Sequence, residues 1–194
     1  MRKLILIRIV HTPADMGSVK DSLERESVAK IGKRRWEENL RKIEKFWDDV
    51  EKEIDAFDLD YSKVRIYQDG LPCSGELGLK IVEETAAKGS HNYRIVKKLM
   101  DKGATIEATE SPELLRKEYE YIKAFTNAPT EEEKADARRR YDQVKGELME
   151  KRDVFIAKAI DATLKDSETG LLFIGATHNV APNLPEDIEV KSLD

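Results

Sequence analysis

The chain is short of cysteine, histidine, glutamine and asparagine and has no long apolar run, and each shortage narrows what it can be. A single cysteine, Cys73, excludes an intramolecular disulfide and any zinc site built on several cysteines. That usage points to a cytoplasmic setting, where disulfides are rare. The apolar run at residues 4–10 contains Arg8 and ends at His11-Thr12-Pro13, so it is too short for a signal-peptide core or a bilayer span. No other segment reads as transmembrane. Gln and Asn together number only seven beside abundant Glu, Lys and Arg, a bias associated with proteins from hot environments.

Charge, by contrast, is plentiful and nearly balanced. With 34 basic against 39 acidic residues the net charge is −5, so there is no broad one-signed field. Neither nucleic acid nor an anionic membrane is an expected partner, and a small-molecule or peptide substrate is. A length of 194 residues fits one domain with a real core.

Strand-like runs rich in β-branched residues occur at residues 4–10, 64–67, 104–109, 171–176 and, briefly, 188–190, separated by helical stretches. This alternation predicts an α/β protein: a mostly parallel open sheet of four to five strands flanked by helices. Residues 19–57 read as one long helical region. Trp36, Leu40, Ile43, Trp47, Val50, Ile54 and Phe57 recur at spacings of four and three, a heptad seam that packs either along neighbouring helices or in a homodimer. Further helices are expected around residues 79–85 and 92–100, with Gly103 as a stop. Ser111-Pro112-Glu113 then opens a helical hairpin over residues 112–164, a candidate subdomain or lid. Thr130 and Glu133 supply a capping box at the start of its second arm.

Only three histidines are present, and two follow the most apolar strand runs: His11 after residues 4–10 and His178 after residues 171–175. Parallel strands deliver their following loops to one edge, the place where open α/β sheets bind ligands. Adjacent strand ends about 4.8 Å apart bring such side chains within reach of one ion or substrate. The same edge should receive Asp15, Asp69, Glu76, Glu107 and Glu110. Two imidazoles and one or two carboxylates suit a divalent transition metal such as Zn, Mn or Fe, which activates water for hydrolysis. His11, His178, Asp69 and Glu110 are the candidate catalytic residues, with His11, His178 and Asp69 as metal ligands. Ser18, Glu76 and Asn179 are candidates for substrate binding. A metal-free version uses His11 as general base, oriented by Asp69 or Glu110, with His178 at the leaving group. His91, opening the helix at 92–100, is expected away from this edge. Arg152-Asp153 is either a surface pair or a pair supporting the site.

The stretch Lys151-Arg152-Asp153-Val154-Phe155-Ile156-Ala157, with Gly175-Ala176-Thr177-His178-Asn179, resembles the superfamily that groups TraB/PrgY pheromone-shutdown proteins, TIKI metalloproteases and erythromycin esterases. Members carry an Arg-Asp or Arg-Asn helix, then a strand ending in Gly-x-x-His, and a histidine at the end of the first strand, which His11 resembles here. Arg8-Ile9-Val10 stands where the group has Gly before that histidine, and Asp69 where it has Glu. The resemblance implies a metal-assisted or His/Glu-based hydrolase of amide or ester bonds, with an α/β core and an inserted helical region. Two other readings compete with it. One is a module that binds a small anionic metabolite through the 69–76 loop and the Gly17-Ser18 turn without breaking a bond. The other is an interaction protein acting through the seam from Trp36 to Phe57.

Overall fold

The structure, a computed structural model, describes residues 1–10, 12, 15 and 20–193, without the side chains of residues 20–23. Two of the expected site residues, His11 and Ser18, therefore lie outside the described residues. In chain order the elements are β1 (Arg2–Ile9), α1 (Lys20–Ile31), α2 (Lys33–Asp55), β2 (Val64–Gln68), α3 (Gly75–Ala87), α4 (His91–Asp101), β3 (Thr105–Glu107), α5 (Pro112–Thr126), α6 (Glu131–Thr163), β4 (Thr169–Gly175) and β5 (Ile188–Leu193). The five strands form one sheet in the order β3-β2-β4-β1-β5, and every pairing is parallel.

Strand alternation divides the core in two. Ile5, Ile7, Ile9, Ile66 and Phe173 point to one face and pack under α2, α3 and α4 through Trp47, Ile54, Val82 and Leu99. Leu4, Leu6, Tyr67, Leu172 and Ile174 point to the other and pack under α6 through Ile156, Ile160 and Leu164. The connections from β1 to β2 and from β2 to β3 run one way along the sheet over the first face. Those from β3 to β4 and from β4 to β5 run back the other way over the second. One handedness of crossover requires this division of labour. The chain leaves the neighbouring strands β2 and β4 in opposite directions, so a topological switch point lies between their carboxyl ends.

Two features of the helices differ from expectation. The region expected as one helix is two, because Gly32 takes φ 82°, a left-handed conformation in which the chain turns between α1 and α2. The heptad seam is also used unevenly. Trp47, Val50 and Ile54 are buried against the sheet, whereas Trp36, Leu40 and Ile43 are half-buried. The carboxyl half of the seam is thus an intramolecular contact, and Trp47 Nε1 donates to Val10 O at 3.1 Å, fixing the end of β1.

The hairpin begins as the sequence predicts. Ser111 Oγ accepts from Leu114 N, Pro112 occupies the first turn, and Thr130 and Glu133 form a reciprocal capping box. At 33 residues α6 is about 50 Å long, more than the sheet can cover. Its buried residues begin at Leu148, so its second half forms the layer over the sheet and its first half projects beside α5 past the carboxyl edge. Tyr119 of α5 and Phe155 of α6 are exposed. Lys134 of α6 meets Glu26 of α1 at 3.6 Å. Among the described residues no helix is long and apolar enough to cross a membrane.

Candidate functional site

The ends of three adjacent strands, β3, β2 and β4, bring Glu110, Asp69 and His178 together at the switch point. One ligand atom from each lies within 4.8 Å of the others. Backbone and hydroxyl bonds set this convergence. Thr109, fully buried, accepts from Gln68 N through its Oγ1 at 3.0 Å, and Thr109 N and Glu110 N donate to Leu71 O at 2.9 and 3.1 Å. The loops after β2 and β3 are thereby locked to each other. On the β4 side, His178 N donates to Gly175 O at 3.2 Å, and Arg8 Nη1 donates to Gly175 O and His178 O at 3.2 and 3.0 Å. Arg8 thus closes the Gly-x-x-His turn from the neighbouring strand.

Each side chain is then aimed by a second partner. Asp69 Oδ2 accepts from Gly175 N at 3.1 Å. Glycine eases this approach, since a Cβ at position 175 would sit 3.2 Å from that oxygen, closer than ordinary van der Waals contact. His178 Nδ1 meets Asp153 Oδ1 at 2.5 Å, and the other Asp153 oxygen accepts from Asn179 N at 2.9 Å. In the neutral imidazole the carboxylate holds the proton on Nδ1 and leaves Nε2 with its lone pair, and Nε2 lies 3.6 Å from Asp69 Oδ2. That gap is too wide for a hydrogen bond. A carboxylate behind a histidine is the arrangement that orients imidazoles toward metals.

Arg152 organises the carboxylates. Its Nε donates to both Glu110 oxygens at 3.2 Å, Nη2 donates to Glu110 and to Asp69 Oδ1 at 2.7 Å, and Nη1 donates to Glu118 Oε2 at 2.5 Å. Four carboxylates, of Asp69, Glu110, Glu118 and Asp153, therefore face one guanidinium and one imidazole. Even with His178 protonated the cluster keeps two surplus negative charges. Burial makes that surplus costly: the side chain of Glu110 is fully buried and that of His178 is 2% exposed. Desolvation pushes the Glu110 carboxyl up to about 7; Arg152 opposes the rise and the neighbouring Asp69 adds to it. Burial works against the Arg152 charge, yet Glu110, Asp69 and Glu118 outweigh it and hold the guanidinium pKa above its ordinary value.

The donor set fits a hard or borderline dication: carboxylate oxygens, an imidazole nitrogen, net negative charge and a carboxylate-backed histidine. Each carboxylate oxygen carries two lone pairs, so Asp69 and Glu110 can serve an ion without losing Arg152 entirely.

Of the expected site residues, Asp69, Glu110 and His178 meet. Asn179 takes part through its backbone N–H, while its side chain is exposed. Glu76 is exposed in the first turn of α3 and is not a member of the ligand group. Glu107 pairs instead with Arg65 at 2.6 Å. Asp15 accepts from Thr12 N and Oγ1 at 2.6 and 2.8 Å. The neighbouring ends of β1 and β4 are in register at Ile9 and Gly175. His91 is on the opposite side from that expected. It heads α4, which runs down to the amino end of β3, so the helix begins near the carboxyl edge. There His91 shares a cleft of about 280 Å³ with Trp47, and its Nδ1 accepts from Arg94 Nη2 at 2.6 Å. Glu118 was not signalled by the sequence, because nothing in a charged helix marks the one acid that bends back to a buried arginine.

No protein-family model, curated protein or solved structure matches the chain.

Proposed function

We propose that the protein is a metal-assisted hydrolase of amide or ester bonds whose centre is the Asp69, Glu110 and His178 group. The observation that carries this reading is the convergence of three ligand-type side chains from adjacent strand ends at the switch point, with His178 Nε2 freed by Asp153. The resemblance of Arg152-Asp153 and Gly175-x-x-His178 to the TraB, TIKI and erythromycin-esterase group points the same way. A bound Zn, Mn or Fe ion would supply Lewis acidity, lowering the pKa of a water and polarising a carbonyl. Asp69, Glu110 and His178 would hold the ion, with His11 as a further candidate ligand on sequence grounds. Asp153 keeps His178 in the ligating tautomer, and Gly175 N–H keeps Asp69 turned toward it. An oxygen of Glu110 not engaged by the ion would accept a proton from water and return it to the leaving group. Arg152 restrains the surplus charge and excludes bulk water. The expected substrate is a small molecule or peptide.

A second reading, a cation-dependent binding module in which no bond is broken, is favoured by one observation: the ligand group is almost wholly buried. One experiment separates the two. Chelator-stripped protein is loaded with Zn²⁺ or Mn²⁺ and assayed on chromogenic esters and amides. Hydrolysis requires turnover that disappears with chelator and falls at least about a hundredfold, the usual weight of a metal ligand or proton carrier, in His178→Ala and Glu110→Gln. Cation binding without turnover on any substrate supports the binding module. Full turnover in both variants places the chemistry elsewhere.

A further inference from the structure

We propose that Glu118 of α5, steadied by Tyr141 of α6, is a positioning residue that receives Arg152 when a divalent cation enters the Asp69, Glu110 and His178 group. The helical hairpin thereby sets the cation affinity of the site. This rests on the cation reading above and adds a residue to it from outside the sheet.

The donors of Arg152 are divided in a telling way. Nε and Nη2 go to Glu110 and Asp69, the two carboxylates that would also ligate a cation, and only Nη1 reaches away from that group, to Glu118 Oε2 at 2.5 Å. Glu118 in turn accepts from Tyr141 Oη at 2.6 Å through its other oxygen. Its position is therefore fixed by the hairpin itself, independently of the guanidinium. A dication among Asp69, Glu110 and His178 repels the guanidinium and competes with it for the same oxygens. Arg152 cannot leave for solvent, because its side chain is 7% exposed. Among the described residues, Glu118 is the one carboxylate bonded to Arg152 that is not a candidate ligand. Its charge offsets Arg152 as the other two are drawn to the ion, and the Tyr141 hydrogen bond keeps it there. Without Glu118 the guanidinium has only Asp69 and Glu110 to answer it, and the site turns less negative; both effects oppose a cation.

The predicted order of affinity is wild type, then Tyr141→Phe, then Glu118→Gln. Calorimetric titration of Mn²⁺ and Zn²⁺ into chelator-stripped, full-length protein reads it directly, with far-ultraviolet circular dichroism confirming that each variant is folded. Glu118→Gln should weaken binding at least about tenfold, the weight of one charge-assisted hydrogen bond. Tyr141→Phe retains the carboxylate and should weaken it about two- to fivefold, the weight of one ordinary hydrogen bond. Amide exchange along α5 in the wild type should change when the cation is added, and in folded Glu118→Gln it should not. Wild type that binds neither cation overturns the cation reading and this inference with it. Wild type that binds, with Glu118→Gln and Tyr141→Phe binding equally well, overturns this inference alone. Should Glu118→Gln fail to fold, Tyr141→Phe at wild-type affinity with unchanged exchange along α5 overturns it as well.

Discussion

Two arginines on the α6 face of the sheet, Arg65 in β2 and Arg152 in α6, each gather several carboxylates, and the contrast between them separates scaffolding from site. Arg65 binds Glu168 through Nε and Nη2 and Glu107 through Nη1, with 27% of its side chain in contact with solvent. Its pKa is raised, chiefly by Glu168 against a smaller opposing effect of burial. Water and an open geometry absorb its one surplus negative charge. Arg152 binds three carboxylates with a fourth close by on His178, and it is nearly buried. A fold seeking only stability has little use for a negative surplus in its interior, where apolar residues of similar volume do as well or better. The excess, the carboxylate-backed imidazole and the location at the switch point are the three features on which the proposed cation site rests.

Removing each arginine sharpens this contrast most. Arg152→Leu takes the guanidinium from three carboxylates in the interior and should cost about 3–5 kcal/mol in denaturant unfolding. Arg65→Leu, part-exposed, should cost about 1 kcal/mol. Equal losses would erase the distinction drawn between them.

The next effect is on pH. Because the Glu110 carboxyl is pushed up to about 7 in the folded chain, the folded state keeps a proton that the unfolded state releases near 4.5. Stability contributed by this group is complete below about 4.5 and declines as pH rises to about 7, by about 3 kcal/mol in all. Metal-free protein should therefore unfold more easily at pH 8 than at pH 5, and Glu110→Gln should lose that part of the slope. A bound cation reverses the trend by favouring the ionised carboxylate. At a hundred times its Kd it should add about 2.7 kcal/mol, seen as a rise in Tm that His178→Ala abolishes.

The smallest effects come from two glycines. Gly175→Ala places a Cβ 3.2 Å from Asp69 Oδ2 and should cost about 1 kcal/mol and weaken cation binding. Gly146 lies exposed within α6 with open space around it, so Gly146→Ala should stabilise by about 0.5–1 kcal/mol and leave cation binding alone. A Gly175→Ala variant that binds cations like the wild type would mean that the Asp69 to Gly175 contact does not position the site.

Much of the scaffold was legible because it depends on local chemistry. Runs of Ile, Leu and Val marked β1, β2 and β4, Ser111-Pro112 and Thr130-Glu133 marked the hairpin helices, and Gly103, at φ 110°, marked the end of α4. Asp69, Glu110 and His178 were legible one step further out, because parallel strands share a carboxyl edge. Gly32 carries no sequence signal of a break, since one glycine inside a helical pattern is ordinarily tolerated. His91 was misplaced because the direction of a helix depends on the strand it leads into. The sequence leaves Arg152-Asp153 between a surface pair and a pair supporting the site, and it does not single out Glu118. Their roles follow from the angle at which α6 and α5 cross the edge, which spacing along a sequence does not encode.

The most direct test is the binding of a divalent cation to chelator-stripped protein, measured by titration calorimetry on wild type and on Asp69→Asn and His178→Ala variants verified as folded. Saturable binding of Zn²⁺ or Mn²⁺ at one site per chain, lost in both variants, is the expected result. Absence of binding in the wild type, or its persistence in both variants, would contradict it.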